Sequence, residues 1–236
     1  MTSSESPPPS DERRHAAANV EEWLFTAWRA QPAVGVVSGY RIVGPTAWYW
    51  AALAREHRPL LHVADWHVPR RSDPLLVKGH DLWAEHTCDA PMEQWTITNE
   101  TYAAALDDPD DALGRAYGVT TALSWDLEWY ATAEARPIAR DRSASGASGQ
   151  RRPAWSGDTS NGYQQAGVVH GRIEIGGADA VHLVEAPAHR WHRWGDELAP
   201  VELPEAFAHT GLRAPFAFPD GSVADWVLTP DGWGAR

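Results

Sequence analysis

Gly162-Tyr163-Gln164-Gln165-Ala166-Gly167-Val168-Val169-His170-Gly171-Arg172-Ile173-Glu174-Ile175-Gly176-Gly177 is the stretch whose reading decides the fold. From Tyr163 to Ile175 the residues alternate with the two-residue period of a strand that has one buried face. Gly176-Gly177 is a hairpin turn signal, and Ala180 to Ala186 returns as the partner strand. The same short, β-branched and aromatic pattern runs upstream between Gly, Pro and Asp punctuation: Val34 to Val43, Thr46 to Ala54, Pro59 to Trp66, Leu75 to Val77, Asp81 to Thr87, Met92 to Thr98 and Thr101 to Leu106. Downstream, Phe218-Pro219-Asp220-Gly221 is a turn between Ala214 to Phe216 and Val223 to Leu228. The expected fold is all-β and antiparallel, with little helix.

Three stretches stand apart. Met1 to Arg14 is read as a disordered leader, its first twelve residues being Ser, Pro and acids without an apolar core, which also excludes a secretory signal. His15 to Ala30 is read as helical or frayed in its first half and as a strand in its second. Ala139 to Gly162, rich in Ser, Gly and Arg, is read as a long mobile loop within a single domain spanning 15–236. Asp107-Asp108-Pro109-Asp110-Asp111 lacks the spacing of a calcium loop and reads as a solvated turn or a short helix start.

Composition narrows the function. The 236 residues carry 20 Lys plus Arg against 32 Asp plus Glu, a formal charge of −12, which disfavours nucleic acid and anionic membrane surfaces as partners. No run approaches the ~18 apolar residues that span a bilayer. The single cysteine, Cys88, leaves no disulfide framework and suits a cytoplasmic protein. A homodimer stays open. The chain has 14 Trp against 6 Tyr and 4 Phe, so it builds with indoles where most proteins use Phe or Leu. Trp48, Trp50, Trp83, Trp95, Trp129 and Trp194 fall on expected strands, and the expectation is that they line one face of a barrel.

The stretch 162–177, followed by Arg190-Trp191-His192-Arg193-Trp194-Gly195, resembles the lipocalin-like superfamily of the carotenoid 1,2-hydratases (hydroxyneurosporene synthases) and AttH-type proteins. There a Tyr-x-x-x-Gly strand, a Gly-x-Ile-x-hydrophobic strand and a Gly turn precede an Arg-Asp-His-Ser-Trp-Gly signature. Trp48-Tyr49-Trp50, Pro91 to Trp95 and Asp126 to Trp129 are similar to the first barrel of that family, so the likeness spans about Trp23 to Gly195. It implies a calycin fold, antiparallel strands curled into barrels that hold apolar small molecules, with relatives that fold a polyene in the cavity. In this chain Trp191 stands where the signature has Asp and Arg193 where it has Ser, so the signature's own carboxylate is missing beside His192. The family carries two barrels, yet only 41 residues follow Gly195, so one barrel with a short C-terminal remnant of the second is expected. The downstream Tyr and Asp that join the chemistry in the hydratases have their nearest match at Phe218-Pro219-Asp220, without the Tyr.

Candidate chemistry follows from facing positions. His192 and Trp194 are two apart and share a strand face, so an imidazole beside an indole could protonate an alkene or orient a carbonyl, with the ring stabilising a developing cation by ~0.5–2 kcal/mol. The competing reading is that the pair closes one barrel end, with Arg190 stacked on Trp194 and His192 satisfied by backbone. Asp126 and Glu128 share one face of a strand; turned inward, a buried carboxyl would be a general acid, and turned outward both are solvated. Of Glu85 and His86 one points inward, and His86 shares its face with Leu82, Ala84 and Cys88. Neither His182, His189 and His192 nor His80, His86 and Cys88 has the spacing of a specific zinc motif, so no metal is expected. Phosphate loops and Gly-x-Ser-x-Gly elbows are absent from the sequence.

The expected function is binding of an apolar polyene, terpenoid or polyketide-like molecule in a Trp-lined cavity. The chemistry, if any, is cofactor-free hydration, isomerisation or cyclisation. The candidate acids are His192, Glu128 and Asp126, and the candidate ligand contacts are Trp194, Arg190, Trp129, Tyr163, Trp83, His86, Trp95 and Trp50. The rival is a non-catalytic carrier of a hydrophobic ligand, and a third reading is a barrel filled by its own side chains.

Overall fold

The computed structural model describes residues 6–71, 75–138, 161–205 and 212–236. Within them the chain is antiparallel β almost throughout, and its helical pieces are two 3-10 turns, Pro9–Glu12 and Pro109–Leu113. In chain order the strands are β1 (Val20–Arg29), β2 (Val34–Val43), β3 (Thr46–Arg55), β4 (Leu60–Pro69), β5 (Leu76–Gly79), β6 (Leu82–Ala90), β7 (Gln94–Leu106), β8 (Val119–Ala131), β9 (Arg136–Pro137), β10 (Asn161–Ile175) and β11 (Val181–Gly195). A further trio follows: β12 (Leu212–Ala217), β13 (Val223–Thr229) and β14 (Gly232–Ala235). No described helix is long and apolar enough to cross a membrane.

Eight strands form a ring in the order β4, β3, β2, β1, β11, β10, β8, β7, closed where Leu60, Leu61 and His62 pair with Leu106, Ala105 and Ala104. β7 changes partner along its length, taking β6 over 94–101 and β4 over 104–106, so the β5–β6 hairpin extends the sheet beyond the closure. Met92 to Thr98 and Thr101 to Leu106, expected as two strands, are the single strand β7. The polar residues between them keep the alternation because Asn99 turns inward and accepts a hydrogen bond from the Tyr49 hydroxyl at 3.0 Å.

Two cores result. Inside the ring pack Trp23, Phe25, Tyr40, Tyr49, Trp95, Trp125 and Trp129 with smaller aliphatics. Outside it, β12, β13 and β14 form a second sheet over β1, β2 and β3, burying Leu24, Trp48, Trp50, Phe216, Phe218, Trp226 and Trp233. This sheet stands where the C-terminal remnant was expected. Because one face of β1, β2 and β3 looks into the ring and the other meets this sheet, all three are buried at nearly every position. Glycine makes room for the indoles: a Cβ at Gly39 would lie 2.0 Å from the Trp50 ring, and one at Gly35 would lie 2.4 Å from that of Trp233.

The outer interface also holds a buried ion cluster. Glu22 receives Arg41 Nη2 at 2.6 Å and is gripped by Arg193, while the Arg41 guanidinium sits 5.1–5.8 Å from the rings of Trp48, Trp50 and Phe218. Burial would raise the Glu22 carboxyl, but the two guanidinium groups outweigh it and hold the group below its ordinary value.

The reading of 1–14 as disordered is corrected for residues 6–14. They close one end of the ring, with the Ser6 hydroxyl on Glu134 at 3.3 Å and Glu12 buried. His15 to Ala30 is not helical in its first half: turn residues lead into β1. Residues 139–160 of the expected loop lie outside the described residues, and Asn161 and Gly162 already belong to β10. The acidic run forms the second 3-10 turn, capped where Asp108 accepts from the Asp110 amide at 2.9 Å.

Candidate functional site

Register builds the polar end of the ring. Tyr163, His192, Trp23 and Tyr40 lie directly opposite one another across β10, β11, β1 and β2, and one row further in lie Gln165, Arg190, Phe25 and Ser38. Alternation turns both rows inward, so a tyrosine, a histidine, an arginine and a glutamine from two adjacent strands share one wall with apolar rings.

The 3-10 turn Pro9–Glu12 lowers Glu12 onto this wall. Its carboxylate accepts Arg190 Nη2 at 2.5 Å and Nη1 at 3.0 Å, the Tyr163 hydroxyl at 2.5 Å and the Met92 amide at 2.8 Å. Arg190 also donates to Gln165 Oε1 at 3.0 and 2.6 Å, and Gln165 is held by the carbonyls of Met92 and Ala133. The guanidinium lies 4.8 Å from the Trp129 ring, 5.2 Å from Tyr163 and 5.7 Å from Trp95. Burial would raise the Glu12 carboxyl, yet the hydrogen bond and charge of Arg190 more than offset it and the group sits below its ordinary value. Burial, reinforced by Glu12, pushes the Tyr163 hydroxyl well above the usual phenol range, despite the opposing pull of Arg190.

His192 is fully buried and stacks on Trp23 with ring centroids 4.5 Å apart. Its Nδ1 is 3.3 Å from the Tyr163 hydroxyl and its Nε2 is 2.9 Å from Glu21 Oε1. Burial lowers its pKa, with Glu21 opposing. The Tyr163 hydroxyl donates its hydrogen bond to Glu12, so its 3.3 Å contact with His192 Nδ1 is secondary, and Glu21 accepts from the Nε2–H of His192 at 2.9 Å. The carboxylate beside His192 comes from another strand: Glu21 of β1 faces the imidazole, while Trp191 and Arg193 turn outward.

Glu21 also accepts the His15 backbone amide on both oxygens at 3.0 Å and meets His15 Nδ1 at 2.9 Å. The His15 ring stacks on Trp194 at 3.6 Å, nearly parallel. One ligand atom each from His15, Glu21 and His192 lie within 4.8 Å of one another, a two-histidine, one-carboxylate set able to hold a metal ion. The candidate sets around His189 and His86 do not form: His189 faces away from His192 and bonds Gln164 at 3.1 Å.

A second polar chain crosses the ring. His86 Nε2 meets the Ser38 hydroxyl at 2.9 Å, and Ser38 approaches the Tyr49 hydroxyl at 3.5 Å. Burial takes the His86 pKa down to about 3, so the ring is neutral at pH 7. Its Nδ1 and the indole N–H groups of Trp23, Trp95, Trp125 and Trp129 find no hydrogen-bond partner among the described residues.

The structure therefore brings together His192, Trp194, Arg190, Tyr163, Trp129 and Trp95 at one end of the ring, with His86 deeper inside. It corrects the rest. Asp126 and Glu128 are exposed on the outer face of β8, because Leu127 and Trp129 take the inner one. Trp83 is outward and 37% exposed, and Trp50 is buried outside the ring beneath the second sheet, 5.2 Å from the Phe218 ring. Arg190 stacks on Trp129 and His15 takes the face of Trp194. The sequence reading missed Glu12, His15, Glu21 and Gln165. Glu21 had a signal, an acid on the face that carries Trp23 and Phe25; Glu12 had none, since it reaches the site from outside any periodic segment.

Comparison with protein-family models, with curated proteins and with solved structures finds no match to this chain.

Proposed function

We propose that the ring is a calycin-like receptor for a predominantly apolar small molecule of polyene, terpenoid or polyketide type, entered at the end closed by residues 6–15. The observation that carries this reading is the set of four buried indole N–H groups, of Trp23, Trp95, Trp125 and Trp129, that belong to the interior core and find no acceptor among the described residues. Each unmet buried donor costs about 1–3 kcal/mol, and an apolar molecule carrying one or two oxygens meets such donors while its body replaces none of their stacking. The likeness to the lipocalin-like hydratases, noted on 162–177 and 190–195, points the same way.

A second reading, acid-assisted hydration, isomerisation or cyclisation, is favoured by the buried His192–Glu21 pair, 2.9 Å apart, which sets an imidazole and a carboxyl group beside the rings of Trp23 and Trp194, whose faces can stabilise positive charge. Titration of the full chain with geraniol and with retinol, read by tryptophan fluorescence, tests the binding. Saturable quenching with a rise in Tm is expected; a flat response to both assigns the interior to its own side chains. His192→Ala separates enzyme from carrier, since only an enzyme loses turnover while keeping the quenching.

A further inference from the structure

Glu12 is a carboxylate delivered into the ring by a segment that is not part of the ring. Among the described residues 6–15, none pairs with a strand; they are held by the Glu12 and Glu21 contacts, by Ser6 on Glu134 and by the stacking of His15 on Trp194. The receptor that Glu12 fills belongs entirely to the body: two guanidinium N–H groups of Arg190, the Tyr163 hydroxyl and the Met92 amide, four donors converging on two oxygens. Gln165 fixes Arg190 from behind, and the indoles of Trp95 and Trp129 flank it.

Resting on the reading of the ring as a small-molecule receptor, we propose that its ligand is an apolar carboxylic acid, whose carboxylate takes the place of Glu12 on Arg190 and displaces residues 6–15. Four donors in this arrangement match the lone pairs of a planar carboxylate and the fork of a guanidinium. Charge enforces the choice. A neutral molecule that pushed Glu12 out would strand a buried guanidinium, whereas an acid leaves the ion pair intact. The acid's apolar body lies against Trp95 and Trp129. Residues 6–15 then act as an internal competitor, and the free energy of seating Glu12 is subtracted from the affinity for the ligand.

Geranic acid and geraniol share one terpenoid body and differ in the head group, so calorimetric titration of the full chain with each at pH 7 separates the two readings. The acid is expected to bind at least about tenfold more tightly than the alcohol, and Glu12→Gln to tighten the acid by about tenfold or more while changing the alcohol by less than about threefold. Equal affinities for acid and alcohol, or an acid affinity unchanged or weakened in Glu12→Gln, overturn the carboxylate assignment and leave the receptor standing. Binding of neither compound to either protein overturns both. Should Glu12→Gln not fold, the acid and alcohol comparison on the unaltered protein decides alone.

Discussion

Glu12→Gln should destabilise the protein by about 3 kcal/mol at pH 7, and the loss should fade as the pH falls. Breaking one half of a buried ion pair costs about 3–5 kcal/mol because the remaining charge is left without its partner. The low end applies because the glutamine keeps an acceptor oxygen and Arg190 keeps Gln165 Oε1 at 2.6 and 3.0 Å. The carboxyl of Glu12 lies below its unfolded value of 4.5 in the folded protein, so its contribution is complete above about pH 4.5 and is lost as the pH drops through the lower folded value. Urea unfolding followed by tryptophan fluorescence, at steps from pH 7 to below pH 4.5, gives the gap between the two proteins. A double-mutant cycle with Arg190→Met isolates the pair: the double variant should recover about 2 kcal/mol of the summed single losses, since it strands no charge. Singles that add to within about 0.5 kcal/mol, or a gap that does not narrow with acid, would refute the account of Glu12 as the anion of a buried pair.

Gly39→Ala should lower stability by about 1–3 kcal/mol or more, seen as a drop in Tm, because the new methyl meets the Trp50 ring 2.0 Å away. Glu22→Gln should cost about 3–5 kcal/mol by leaving Arg41 and Arg193 uncompensated, again with a gap to the parent that shrinks in acid because the folded carboxyl lies below its ordinary value. The pair Asp126→Asn and Glu128→Gln should change stability by no more than about 0.5 kcal/mol and leave geraniol binding untouched, since both acids face solvent; lost binding would put them back in the site. His86 should show no imidazole titration by NMR between pH 5 and 8, as burial holds it neutral down to about 3.

The strands were legible because turn chemistry and alternation are local. Val34 to Val43 is β2 to the residue, and the Gly176-Gly177 turn joins β10 to β11 as its sequence indicates. Which face turned inward was less legible. On β8 the polar and apolar faces differ, and apolar-in follows at once; on β3, Tyr49 and the flanking Trp48 and Trp50 are all apolar, and the sheet that covers the outer pair comes from 160 residues later. The indoles consequently divide between two cores instead of lining one face. The site was readable on its strand side, where His192, Tyr163 and Arg190 share a face by period. It was unreadable where partners come from a different strand or from no strand at all, as Glu21 and Glu12 do.

The double burial of β1, β2 and β3 has a consequence for how the chain is made. These strands emerge from the ribosome well before the sheet that covers them. Until β12, β13 and β14 have been synthesised, Leu24, Trp48 and Trp50 lack the cover of Phe216, Phe218, Trp226 and Trp233 on their outer side. A completed ring therefore carries a sticky aromatic patch for the time needed to translate the chain from β11 through β14, at ~5–20 residues per second. A chain stopped before Leu212 would keep that patch permanently, and self-association through it is the fate expected of a truncated product.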